Sequence, residues 1–173
     1  MNRAILNKQI NKAMIDKLKN NTQSLLSFLQ NQNNGTIVYV LEKLGRLENG
    51  NSKKPLLNLL NNPNENIRAL SIKNLAKISD ISLLPIFVKY ASDDESTEVR
   101  RESVSAIGRL RNEKAIPTLI NFLTDNNPKV VMQAIRGLLV FLRRPEVKQE
   151  KKLSLTHQMN IITRFMRRSK TFC

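Results

Sequence analysis

The sequence predicts an all-α protein, an α-solenoid of about four helical hairpins with an N-terminal helix and an incomplete C-terminal repeat. Three observations carry this. Apolar blocks recur about every 31 residues along a chain of 173. Within a block the apolar residues stand three or four apart instead of alternating, which is helical spacing. Turns rich in Asn, Asp and Ser separate the blocks.

Residues 1–21 come first, a basic amphipathic helix with Ile10, Met14 and Leu18 on one side and Arg3, Lys8, Lys12 and Lys19 largely elsewhere. The expected role is a cap over the first repeat, since Asp16 and the many asparagines suit a targeting helix poorly. Four hairpins follow at about 22–48, 53–79, 83–111 and 115–142. Their first helices align on Leu26, Leu57, Phe87 and Leu119, and three residues later on Leu29, Leu60, Tyr90 and Phe122. Pro55, Pro85 and Pro117 open three of them, a position where the missing N–H costs nothing.

The second helices align on Leu41, Ile72, Val104 and Ile135, then Leu44, Leu75, Ile107 and Leu138, then Leu47, Ile78, Leu110 and Phe141. Each hairpin has too little apolar surface to bury alone and needs its neighbours. Residues 143–173 depart from the pattern. Ile161 and Met166 keep the period, but the stretch Lys148–Leu153 is almost all charged. The expectation is a basic, degenerate or truncated fifth repeat, as in a piece of a longer protein.

Between the second helices run small residues, Gly45, Ala76 and Gly108, with Leu139 in the fourth copy. Asn66-Ile67-Arg68-Ala69 and Glu98-Val99-Arg100-Arg101 open the second helices, and Leu44-Gly45-Arg46-Leu47 and Ile107-Gly108-Arg109-Leu110 stand near their ends. Over residues 22–142 this pattern resembles the HEAT-like repeats first described in phycobilin lyases. The resemblance implies the fold, and it implies little about activity, because such repeats serve as scaffold, adaptor and nucleic-acid cradle. It also implies a structural ladder for an arginine preceded by an acid, a role that carries to Arg68 and Arg100; Val131 ends it in the fourth copy.

Charge is the unusual feature. There are 29 Lys and Arg against 14 Asp and Glu, a net +15. Residues 101–173 alone hold fifteen basic and five acidic residues. That balance favours a polyanion, whether nucleic acid, an anionic membrane or an acidic protein, and it equally suits a solvated surface of good helix formers. At about 100° per residue, Arg68 and Arg100 fall on the packed side of their helices and need partners there. Lys73 and Lys77 fall on the outer side. Their columns, Arg46, Lys77 and Arg109, and Lys73 with Arg136, give a candidate partner-binding stripe that Arg143 and Arg144 extend. Arg101 and Arg111 stay unassigned.

No catalytic set emerges. His157 is the only histidine and Cys173 the only cysteine, and neither has neighbours at ligand spacing. Asp93-Asp94-Glu95 lacks the alternation and glycine of a calcium loop and suits a helix N-terminus. Similar HEAT-like alkylpurine DNA glycosylases use groove aromatics and a catalytic aspartate, which no outward column supplies here. With no signal-peptide core, Asn34-Gly35-Thr36 reads as a turn and the chain as cytoplasmic. The expected function is a non-enzymatic scaffold without cofactor or metal, offering a basic second-helix surface to nucleic acid or an acidic protein, as an accessory domain beside an enzyme such as a DNA-modifying one. A phycobilin lyase or isomerase subunit is the alternative, implied by the resemblance alone.

Overall fold

A computed structural model describes residues 13, 14, 17, 22–27, 29, 33–44, 52–143, 153–157, 159 and 160. Every regular element among them is helical: α1 Thr22–Ser27, α2 Asn34–Lys43, α3 Lys53–Asn58, α4 Glu65–Ile78, α5 Leu84–Asp93, α6 Thr97–Arg109, α7 Ile116–Asn121 and α8 Pro128–Leu142. Short 3-10 turns prolong α3 and α7 and lead into α5 and α7. The chain forms two compact units, Met1–Leu83 and Leu84–Cys173. In the first, α4 packs on both α2 and α3. In the second, α6 packs on α5 and α8, and α8 also on α7. Residues 13, 14, 17, 153–157, 159 and 160 are helical as well; Met14 is exposed and Leu155 buried.

The loops entering the second helices repeat one device. Asn62, Asp94 and Asp125 each accept the backbone N–H two residues ahead, at 2.8, 2.9 and 2.7 Å. These Asx turns aim the chain at its N-cap. Asn64 and Asn127 then accept the N–H of Asn66 and Lys129, both at 2.9 Å, filling donors that a helix start leaves open. Asn33 caps α2 the same way, through the N–H of Thr36 at 2.9 Å. Asn34-Gly35-Thr36 is therefore the first turn of α2, not a loop. At the other end, Ser79 and Arg111 end α4 and α6 in the left-handed region, with φ of 56° and 50°.

The first helices hold the expected register only in part: Leu26, Leu29, Leu60, Phe87 and Leu119 are buried as expected. The fully buried column is Leu25, Leu56, Phe87 and Leu119, followed four residues later by Leu29, Leu60, Ala91 and Leu123. Leu57, Tyr90 and Phe122 are only half-buried. Proline caused the slip. Pro55 is the third residue of α3, whereas Pro85 and Pro117 are the second residues of α5 and α7. Any position in a first turn lacks an N–H partner, so proline locates a helix start only to within a residue or two.

The described members of the expected second-helix columns are buried, except that Ile135 is half-buried; Leu47 lies outside the described residues. A further column, Val40, Ser71, Ser103 and Ala134, is at least as deeply buried. The two serine hydroxyls donate to the carbonyls of Ile67 and Val99, at 2.7 and 2.8 Å, so they enter the core satisfied. Small residues matter most where α6 meets α8. A Cβ on Gly108 would lie 2.9 Å from the Cα of Gly137. The close approach thus pairs Gly108 with Gly137, and Leu139 is exposed.

Inside the first unit, Lys53 clasps the hairpin shut. Its Nζ donates to Asp80 Oδ2 and Ser82 Oγ, both at 2.7 Å, while the Ser82 N–H and hydroxyl donate to the same carboxylate at 2.9 and 2.8 Å. The Lys53 ammonium, then the Ser82 donors, hold the Asp80 carboxyl down to about 2 from an ordinary 3.8.

Two outcomes are expected. Gly108→Val will lower stability by about 1–3 kcal/mol through overpacking, read as a drop in the urea midpoint, while an unchanged midpoint would refute the tight crossing. The Asp80 contribution is complete above its unfolded pKa and is lost as pH falls through about 2. The melting-temperature gap between the parent protein and Asp80→Asn should therefore be open at pH 6 and close between about pH 4 and 2.

Candidate interaction surface

Two arginines of the second helices turn inward to the loops. The buried Arg68 donates through Nη1 to the carbonyls of Asn62 and Pro63, at 2.9 and 3.1 Å. Arg100, half-buried, repeats this on the carbonyls of Asp94 and Glu95 at 3.1 and 3.2 Å, and its Nη2 reaches Thr97 Oγ1 at 3.5 Å. Its Nε also stands 3.9 Å from Asp125 Oδ2 in the following loop. A guanidinium suits the task because its fork of fixed donors can hold two adjacent carbonyls at once. The matching Val131 is buried and holds no loop.

The outward cations divide by what holds them. On α4, Lys73 and Lys77 are both exposed. The Lys77 ammonium, however, donates to the carbonyl of Leu44 at the end of α2, and Asn74 Nδ2 donates to Leu41 O beside it at 2.9 Å. A cation is favoured at that negative helix end. Lys77 thus binds its own fold. Arg101 is likewise committed: it clasps Glu98 Oε1 and Oε2 at 2.6 and 2.9 Å, and Glu102 at 2.6 Å. The hydrogen bonds that Arg101 donates to the Glu98 carboxylate push the guanidinium pKa up. Arg109, the last residue of α6, is exposed, and so is Arg111. Arg46 and Arg144 lie outside the described residues.

Among the described residues the densest positive face is on α8. That helix contains no acidic residue. Its buried set, Val130, Val131, Ala134, Gly137, Leu138 and Phe141, spans about 120° of the helix circumference. Opposite this core, Lys129, Arg136 and Arg143 are all exposed and lie within about 40° of one another. Seven residues separate each from the next, two turns, or about 10.5 Å. Among the described residues none of the three meets an acid. Met132, Leu139 and Val140 are exposed between them, at 48%, 37% and 38%. Sequence reasoning picked Arg136 and Arg143 but missed Lys129 and the apolar residues. The seven-residue step was the available signal.

Among the described residues no group of three His, Cys, Asp or Glu could hold a metal, and no helix is long and apolar enough to cross a membrane. His157 is exposed. Residues 84–150 match the family model of HEAT repeats. Known structures extend that fold to most of the chain. A chain from the complex of CpcE and CpcF of phycocyanin lyase from Nostoc sp. PCC7120 superposes with a TM-score of 0.54 at 19% identity, over 82% of this chain and 97% of that one. A designed armadillo repeat protein in complex with the peptide (KR)4 gives 0.56 at 22% identity, over 87% and 76%. No curated protein matches the chain. The fold is thus the α-solenoid of HEAT and armadillo proteins, and likeness at this identity carries the fold alone.

Arg68→Ala should cost about 1.5–3 kcal/mol by releasing two loop carbonyls, whereas Arg136→Ala should stay within about 0.5 kcal/mol. Urea unfolding of both variants tests the division, and equal effects would refute it.

Proposed function

We propose that this protein is a non-catalytic HEAT-repeat scaffold that takes up an acidic macromolecular partner on the outer faces of its second helices. The observation that carries this is α8: three exposed cations in one line on a helix without an acid. Arg109 on α6 is an exposed cation of the same unit, and α4 in the other unit exposes Lys73 beside Lys77, which is bonded to Leu44. Stacked hairpins supply rigidity, so such a surface binds without first being ordered. The designed armadillo protein is in complex with the basic peptide (KR)4; a face of cations would select the opposite charge. The bilin-lyase reading has only the shared fold behind it, and bilin absorption unchanged on mixing with the protein will set it aside.

Binding to a fluorescein-labelled polyglutamate and to a labelled DNA duplex should weaken steeply with salt. For the duplex, log K falls by about 0.9 per phosphate neutralised for each unit of log salt. Replacing Arg109, Arg136 and Arg143 with Ala should flatten that slope by about 2–3 units without unfolding the protein. Absence of binding to either polyanion at about 50 mM salt would overturn the reading.

A further inference from the structure

Resting on that reading, we infer that the outer face of α8 docks an acidic amphipathic helix of a protein partner. Along the axis the face runs Lys129, Met132, Arg136, Leu139 with Val140, then Arg143, so cations and apolar side chains alternate about every 5–6 Å. The whole row is about 21 Å long, close to four turns of a facing helix. Such a helix, with carboxylates at every seventh position and apolar residues between, meets each cation with an acid and each exposed apolar group with another.

The alternation separates this occupant from others. A phosphate backbone would satisfy the three cations and leave Met132, Leu139 and Val140 against charge, gaining nothing from them. A bilayer surface wants an apolar face segregated from the basic one, but on α8 both kinds of side chain share one arc, and the segregated apolar face is already in the core. The chain's own residues 144–173 hold eight basic residues against two acidic ones, and a second copy carries net +15, so neither complements the row. Charge therefore selects an acidic partner, and the apolar residues select a protein.

The experiment uses the full chain and four probes: a peptide with Glu at every seventh position and leucines between, the same peptide with those leucines replaced by serine, a DNA duplex, and phosphatidylserine vesicles. The leucine peptide should bind and turn helical by circular dichroism. Met132→Ser with Leu139→Ser should weaken it by about tenfold and leave duplex binding unchanged, since exposed apolar anchors act only on an apolar partner. Arg136→Glu should weaken it at least as much, and exchanging the central Glu of the peptide for Lys should restore binding to that variant. Melting curves of these surface variants should match the parent. Equal binding of the leucine and serine peptides, or vesicle binding that the serine pair abolishes while the leucine peptide stays unbound, overturns the α8 assignment and leaves the polyanion reading standing. Failure of every probe overturns both.

Discussion

Everything in this fold follows from the small apolar area of one hairpin. A first helix of six to ten residues cannot bury the second helix lying on it, so each second helix must also be covered by a neighbouring one, as α4 is by α2 and α6 by α8. That double cover brings backbones close, and at Gly108 and Gly137 it leaves no room for a side chain. It also pulls helix ends and loops into partly dry surroundings, where their carbonyls need donors. Arg68, Arg100, Asn74 and Lys77 are those donors.

The need for donors explains how much of the fold was legible in the sequence. Second-helix columns could be read directly, because ten to fifteen residues give periodicity several turns in which to declare its phase. First helices were legible as helices but only partly in register: six residues of α3 or α7 contain fewer than two turns, and aligning on proline put Leu57, Tyr90 and Phe122 one position off. The serine column was hidden for another reason. Ser71 and Ser103 look polar in sequence, yet a hydroxyl that bonds its own helix enters a core as quietly as alanine.

The surface was legible as a sign of charge and much less as an arrangement. Lys77 and Arg109 share a column, and angle alone cannot distinguish them; only the position of the Leu44 carbonyl shows that one ammonium is engaged. Arg101 looked like a stray cation because its partners, Glu98 and Glu102, lie on its own helix at spacings any exposed helix shows. The repeat columns run across helices. The pattern that matters runs along one helix, from Lys129 to Arg143.

The bonds from Asn74 to Leu41 and from Lys77 to Leu44 each span 33 residues, about one period, and the Arg100–Asp125 pair joins adjacent loops. Contacts of such short reach confine the conformational search to neighbouring hairpins, so collapse can start at any of them and spread in either direction. A lineage can then lengthen or shorten the array by whole hairpins, since each newcomer has to fit only the helices beside it. A face such as that of α8 can diverge toward a new ligand while the repeats behind it stay unchanged.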